Sequence, residues 1–273
     1  MTTISFINMK GGVGKTTSVV EIAIILATEH AKKILVIDLD PQTNATLSFI
    51  TFEAWEKVKD NATIADVLGM NKGMSSREEE FDINDAIIKN AGGIKNLDLI
   101  PSHLELTFLD LDLGGTPGRE SILVNKLSMA QTNYDFILID CPPNLTIAPQ
   151  NALVVSDYII VPVVPEVFPA IGLPLLVNRV QYLKRHLPNC KVEFLGVMFT
   201  KVKKSTNLHQ QQMDALRKSN EAMKLHTFSS IIPETVRISE AVAKNKPAFL
   251  LNKDDAGPIA YQTLVREILA KVK

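Results

Sequence analysis

Short, largely apolar runs recur along the chain and are separated by longer stretches of mixed character. The runs lie at residues 4–8, 33–38, 97–100, 136–140, 158–164 and 194–200. Because their hydrophobicity is continuous rather than alternating, we predict strands that are buried on both faces of a mostly parallel sheet. Residues 17–30 have the length and apolar content of a helix packed on such a sheet. The alternation of strands and helices predicts an α/β fold, a doubly wound sheet with helices on both of its faces.

No linker rich in Pro, Gly or Ser divides the 273 residues. The length is also within the range of one large α/β domain. We therefore predict a single domain over residues 1–273. The polar and acidic residues 69–82 are predicted to form an excursion at one edge of it.

The composition excludes several classes of protein. Cys141 and Cys190 are the only cysteines and lie 49 positions apart, which excludes a disulfide framework and a CxxC metal pair. No apolar run reaches the length of about 18 residues that a transmembrane helix needs. The N-terminus lacks the basic and apolar regions of a signal peptide. We therefore expect a cytoplasmic protein.

The charge is divided unevenly along the chain, although the formal net charge is only -1. Residues 1–178 carry 12 basic and 22 acidic side chains, whereas residues 179–273 carry 17 and 8. Such a division is typical of a C-terminal part that binds nucleic acid or another polyanion. Solvated helix faces would give the same counts, so charge alone leaves both interpretations open.

The clearest motif is MKGGVGKTT at residues 9–17, between the first predicted strand and the first predicted helix. Glycines there allow several backbone N–H groups to converge on phosphate oxygens, and the start of the helix adds its positive dipole end. Lys15 is placed to reach the β- and γ-phosphates, and the Thr16 hydroxyl is placed to bind Mg²⁺. The predicted nucleotide-binding residues of this loop are Gly11, Gly12, Val13, Gly14, Lys15, Thr16 and Thr17.

Aspartates end two of the apolar runs. Asp38 ends the second predicted strand and Asp40 lies two residues later, and Asp140 ends the run FILID at residues 136–140. A single aspartate at a strand end is usually a turn or cap residue. Three of them behind a phosphate loop instead favour Mg²⁺-assisted hydrolysis of a nucleotide.

The loop departs from the common phosphate-loop pattern, because Met9 replaces the first glycine and Lys10 follows it. In this respect KGGVGKT resembles the deviant Walker A loop of the ParA/MinD family of ATPases. The segments DPQTNAT, LDLIPS, YDFILIDCPP, NALVVSD and IPETVRISEA also resemble the short, chromosomal-type ParA members, and the likeness covers nearly the whole chain. Thr43 stands where a glycine is usual in that family.

The resemblance implies roles for the charged residues. Lys10 would reach across an ATP-sandwich homodimer to the partner's phosphates, with Lys15 acting on the phosphates of its own subunit. Asp40 would orient the attacking water, Asp140 would hold Mg²⁺ as the Walker B aspartate, and Asp38 would lie near the metal. The resemblance also implies adenine contacts from Thr200, Lys201, Pro233 and Glu234.

The resemblance further implies that the ATP-bound dimer binds nonspecific double-stranded DNA on the nucleoid. A ParB-like or other adaptor protein would stimulate hydrolysis and release the dimer, so that plasmid or chromosomal DNA is segregated. Phosphate contacts of this kind need exposed basic residues on one face. The candidates are Lys203, Lys204, Lys224, Arg237, Lys244 and Lys246.

Three alternatives remain open from the sequence. The same ATPase cycle would serve to position a protein cargo such as a carboxysome. A membrane-surface ATPase of the MinD kind is disfavoured, because the sequence shows no amphipathic tail after the last predicted helix. A metabolic enzyme of the same fold, such as an iron–sulfur reductase or an ATP-dependent synthetase, is the third.

Overall fold

The computed structural model describes residues 1–60, 62–70, 81–166, 169–187, 189–203 and 206–272. Most of the excursion predicted at 69–82 lies outside these ranges. The strands are β1 (Thr2–Phe6), β2 (Ile34–Asp38), β3 (Leu97–Ile100), β4 (Phe136–Asp140), β5 (Tyr158–Val163), β6 (Glu193–Val202) and β7 (Thr227–Pro233). The helices are α1 (Lys15–Thr28), α2 (Asn44–Phe49), α3 (Phe52–Val58), α4 (Ile64–Val67), α5 (Leu109–Asp112), α6 (Ile122–Leu127), α7 (Ile147–Val155), α8 (Pro169–His186), α9 (Asn207–Ala222), α10 (Val236–Ala243), α11 (Ala248–Leu251) and α12 (Ala256–Lys271).

The described strands form one seven-stranded sheet in the order β3-β2-β4-β1-β5-β6-β7. Every pair of neighbouring strands in it is parallel. The strand β1 lies between β4 and β5, so the loop that follows it opens at the centre of the carboxyl edge. The prediction of a doubly wound, mostly parallel α/β sheet is confirmed.

Side chains of the central strands alternate between two hydrophobic layers, one on each face of the sheet. Phe136 and Leu138 of β4 pack in the layer that also contains buried residues of α1 and α12. Ile137 and Ile139 pack in the opposite layer, with α7, α8 and α9. Burial on both faces explains why these strands are continuously apolar in the sequence.

The sequence prediction missed β7 and placed several strand ends differently. The strand β7 lies at the edge of the sheet, and its residues alternate between buried and partly exposed positions, as in Phe228, Ser229 and Ser230. Two serines therefore interrupt the apolar run that served as the strand signal. The helix α1 begins at Lys15 rather than at residue 17, because the phosphate loop leads directly into it.

The strand register brings the predicted carboxylates together. Asp38 of β2 is paired with Asp140 of β4, and Asp140 is paired with Phe6, the last residue of β1. Carboxyl ends of parallel strands meet at one edge of a sheet, where ligands of open α/β folds bind. The phosphate loop and two of the three aspartates therefore share this edge.

Candidate nucleotide-binding site

The loop between β1 and α1 is shaped by two glycines with left-handed backbone angles. Gly12 has a φ of 73° and Gly14, which caps α1, has a φ of 83°. Asn8 fastens the start of the loop, since its Oδ1 accepts from the Lys10 N–H at 2.9 Å and its Nδ2 donates to Pro162 O of β5 at 2.7 Å. Residues with a Cβ rarely adopt such φ values, so the shape of this loop depends on glycine.

The Lys15 side chain is turned into the loop. Its Nζ donates to the carbonyl oxygens of Asn8 at 3.2 Å and Lys10 at 3.4 Å. Burial lowers the pKa of this ammonium group, and the nearby Asp140 opposes that shift. A buried cation held by backbone carbonyls at the centre of a loop of this kind is suited to receive phosphate oxygens.

Asp140 is a buried carboxylate at the carboxyl edge of the sheet. Both of its carboxylate oxygens are buried and have no hydrogen-bond partner among the residues that the structure describes. Burial and the neighbouring Asp38 raise its pKa well above the usual range, whereas the Thr16 hydroxyl and Lys15 act in the opposite direction. Buried charged groups are normally paired or bound to a metal, so these free oxygens fit a cation site.

Asp38 is placed differently, because both of its oxygens are already hydrogen-bonded. Its Oδ1 accepts from the Asp40 N–H at 3.1 Å, and its Oδ2 accepts from the N–H and the hydroxyl of Thr46, each at 2.8 Å. Burial raises the pKa of Asp38 to about 7, although the bonds from Thr46 oppose the shift. Its assignment near the metal stays a prediction.

Asp40 lies at the start of the loop between β2 and α2 and is 8% exposed. Its Oδ1 accepts from the Gln42 N–H at 3.0 Å, and its carbonyl oxygen accepts from the Ser102 hydroxyl at 2.6 Å. The carboxylate retains acceptor capacity because Oδ2 takes no hydrogen bond in the described part of the chain. Such a group is chemically able to orient a water molecule.

A cavity of about 310 Å³ lies beside the phosphate loop. It joins the loop residues to two positions predicted to contact adenine, Lys201 and Glu234, and to Lys203, which was predicted to bind DNA. The Nζ of Lys203 lies 3.3 Å from an oxygen of Glu234. The complete lining is Lys10, Gly11, Gly12, Val13, Val164, Glu166, Lys201, Lys203, His209 and Glu234.

Glu166 is a residue of this cavity that the sequence reasoning missed. Its Oε2 lies 2.6 Å from the Nζ of Lys10, and both side chains are about half exposed. The hydrogen bond from Lys10 lowers the pKa of the Glu166 carboxyl. It lies three residues after β5, which neighbours β1, and no motif in the sequence marks it.

Thr200 and Pro233 lie near the carboxyl ends of the neighbouring strands β6 and β7. The Thr200 hydroxyl donates to the carbonyl oxygen of Val13 at 2.7 Å and is fully buried against the phosphate loop. Pro233 ends β7 and is paired with Val202 of β6. Adenine contacts from Thr200 and Pro233 stay predictions, and the structure adds that Thr200 supports the loop.

The predicted DNA-binding residues differ in their surroundings. Lys224, Lys244 and Lys246 are exposed, whereas Arg237 is exposed but lies 3.6 Å from Glu240 and 4.0 Å from Asp255. Lys203 is exposed as well, but it lines the cavity beside the phosphate loop. Lys204 is outside the described residues.

Among the described residues, no cluster of three or more His, Cys, Asp or Glu side chains is arranged to hold a metal ion. Mg²⁺ commonly takes only one or two carboxylates and completes its shell with water and substrate phosphates, which fits Asp140 and Thr16. In the same part of the chain, no helix combines the length and apolarity needed to span a bilayer.

The central strand β1 leads through a glycine loop into α1, and carboxylates lie at the ends of the adjacent strands. This arrangement defines the class of P-loop nucleotide-binding proteins. A family model described as an AAA domain matches residues 1–194. The sporulation initiation inhibitor protein Soj of Bacillus subtilis is 34% identical over 267 residues, which cover 98% of each chain. The chain belongs to the ParA/MinD family of deviant Walker A ATPases.

Two further proteins extend the comparison. The chromosome partitioning protein ParA of Caulobacter vibrioides is 31% identical, over 97% of this chain and 92% of its own. A Borrelia burgdorferi B31 structure, described as a plasmid partition protein bound to AMPPNP, has a TM-score of 0.80 and 27% identity, covering 99% of each chain. Similarity along the full length agrees with the resemblance found in the sequence.

Proposed function

We propose that this protein is a Mg²⁺-dependent ATPase of the partition type, which dimerises around ATP and binds nonspecific double-stranded DNA. The observation that carries the proposal is the convergence of the glycine loop, Lys15, Asp40 and the unpartnered Asp140 at one edge of the sheet. The AMPPNP in the Borrelia partition protein supports ATP as the nucleotide.

In this proposal the phosphates of ATP lie against the backbone N–H groups of residues 11–16 and the N-terminal end of α1. Lys15 leaves its contacts with Asn8 and Lys10 carbonyls and neutralises phosphate charge instead. Thr16 and Asp140 are the residues that would hold Mg²⁺, which supplies charge neutralisation when bound. Asp40 orients the attacking water and accepts its proton.

Lys10 acts in trans in the proposed dimer. Its ammonium group contacts the phosphates bound by the other subunit and stabilises charge there, as an arginine finger does. To do so it must leave Glu166, which holds it at 2.6 Å in the single chain. The ion pair is about half exposed, so its loss costs about 0–1 kcal/mol and does not prevent the rearrangement.

The dimer is proposed to bind DNA phosphates through Lys224, Lys244 and Lys246, with an adaptor of the ParB kind stimulating hydrolysis. The chromosome and plasmid partition functions named for the relatives support a DNA cargo. Nucleoid association follows from this binding. A protein cargo would use the same cycle with a different adaptor.

The first experiment measures binding to a random-sequence DNA duplex without nucleotide, with ADP and with ATP, over a series of salt concentrations. We expect binding only with ATP, with an affinity that falls steeply as salt rises. The double variant Lys244→Ala, Lys246→Ala should weaken it, whereas Lys33→Ala, Lys57→Ala removes two exposed lysines from the acidic half and should not. Absence of binding in every nucleotide state would refute the DNA part of the proposal.

Two variants separate the steps of the cycle. Asp40→Ala should bind ATP normally and lose turnover, because the water is no longer oriented. Lys10→Ala should bind ATP but fail to dimerise, which light scattering measures. Turnover of Asp40→Ala at the wild-type rate, or an unchanged dimer fraction for Lys10→Ala, would contradict the assigned roles.

A further inference from the structure

Two buried hydroxyl groups connect Asp38 to the backbone of Asp40. The Thr46 hydroxyl donates to Asp38 Oδ2 at 2.8 Å and accepts from the Ser102 N–H at 2.9 Å. The Ser102 hydroxyl in turn donates to the carbonyl oxygen of Asp40 at 2.6 Å. Both hydroxyl-bearing residues are fully buried, so these bonds are not exchanged with water.

The loop that this network spans contains a strained residue. Thr43 has a φ of 57°, in the left-handed region, and its N–H donates to the Asp40 carbonyl at 2.9 Å. A β-branched residue adopts this conformation only where surrounding contacts over-determine it. The bonds at Asp38, Thr46 and Ser102 supply that constraint, because they fix both ends of the segment from Asp40 to Thr46.

From this geometry we propose that Thr46 and Ser102 are positioning residues for ATP hydrolysis and that Asp38 anchors them. They hold the Asp40 backbone, and thus its carboxylate, in the place from which it acts on water. The inference rests on the proposed ATPase function. It gives Asp38 a role through its hydrogen bonds, in contrast to Asp140, whose oxygens are free for a cation.

The tryptophan Trp55, whose fluorescence can be measured, is hydrogen-bonded to the same network. The indole Nε1 of Trp55 donates to the Ser102 carbonyl oxygen at 2.9 Å, and Trp55 is the only tryptophan of the chain. Its ring is 6% exposed and stacks on His103 with centroids 6.1 Å apart. Trp55 emission therefore reports whether the segment at Ser102 keeps its native surroundings.

The test compares Thr46→Val with Thr46→Ser in steady-state ATPase assays and in titrations with a fluorescent ATP analogue. Valine keeps the shape but removes the hydroxyl, so kcat should fall on the order of 10–100-fold, since small misplacements of a reacting group have effects of this size. The affinity for the analogue should change by less than about threefold, a small free-energy difference. Serine retains the hydroxyl and should restore most of kcat.

Ser102→Ala and Ser48→Ala complete the set. Ser102→Ala removes only the bond to Asp40 and should lower kcat with Trp55 emission unchanged. Ser48→Ala is the matched control, because it loses a hydroxyl bond to Asn44 O within α2 that does not reach Asp40. It should keep wild-type kcat.

The outcomes separate the inference from the function on which it rests. No Mg²⁺-dependent turnover by the wild type would refute the proposed function itself. Turnover by the wild type together with unchanged kcat in Ser102→Ala would overturn the positioning role. Equal losses in Thr46→Val and Thr46→Ser would overturn it as well, because packing rather than the hydroxyl would then be responsible. If Thr46→Val does not fold, Ser102→Ala decides.

Discussion

Replacing Glu21 by glutamine should flatten the pH dependence of folding stability. Glu21 lies on α1 at 2% exposure, and its two oxygens accept from the N–H groups of Ala248 at 2.6 Å and Phe249 at 3.0 Å. Burial raises its pKa from 4.5 to about 7, although both backbone bonds oppose the shift. Between these two pKa values, Glu21 is therefore protonated in the folded state and ionised in the unfolded state.

The sign and size of the effect follow from that difference. A group whose pKa is raised on folding stabilises the protein fully below its unfolded pKa and loses this contribution as pH rises through the folded value. For a shift from 4.5 to about 7, the free energy of unfolding loses about 2.5 kcal/mol between about pH 5 and pH 8. Glutamine does not titrate, so Glu21→Gln should lack this part of the decline.

The assay is urea unfolding of the wild type and Glu21→Gln at several pH values, followed by far-UV circular dichroism. Other raised carboxyl groups, such as Asp38, affect both proteins alike and cancel in the difference. Loss of one hydrogen-bond acceptor shifts the free energy of unfolding of Glu21→Gln by an amount that does not vary with pH. Titration of Glu21 instead makes the free energy of unfolding of the wild type depend on pH. Parallel curves for the two proteins across this range would refute the reasoning.

Two further changes test one close backbone contact away from the phosphate loop and one hydrogen bond that supports the loop. Gly92→Ala should destabilise the protein by about 2 kcal/mol or more, because Gly92 has a φ of 65° and an added Cβ would lie 2.8 Å from Phe49 O. Gly93→Ala is the control and should cost only about 1 kcal/mol, because Gly93 has a φ of 74° but an added Cβ would meet no atom within 4 Å. Equal melting temperatures for the two variants would contradict the clash. Thr200→Val should weaken ATP binding about tenfold, since it removes the bond to Val13 O that supports the phosphate loop, and calorimetry with an ATP analogue measures this. An unchanged affinity would show that the loop keeps its shape without this bond.

The sequence predicted the features that depend on local pattern. The continuous apolar strands ending at Asp38 and Asp140, and the glycine loop before α1, could be read directly because strand burial and phosphate binding each require a particular run of residues. The fold class follows from the same pattern.

Features that depend on distant parts of the chain could not be read in this way. Glu166 contacts Lys10 although they lie 156 positions apart in the sequence, and Ser102 contacts Asp40 although they lie 62 positions apart. A glutamate or a serine after a strand has no distinctive spacing of its own, so only the strand order shows which of them face the phosphate loop. The edge strand β7 was missed because exposure on one side allows serines that interrupt the apolar pattern.

The ion pair between Lys10 and Glu166 means that Lys10 already has an anionic partner before it meets a nucleotide. The carboxylate holds the ammonium group at 2.6 Å in the single chain, so in the proposed cycle Lys10 exchanges one anion for another rather than leaving water. Mobile ions screen the old contact and the new one alike, so this exchange adds little salt dependence of its own. The same ions displace basic side chains from DNA. The DNA contacts therefore set the salt response of the cycle, and occupancy of DNA at a fixed ATP concentration should fall steadily as ionic strength rises.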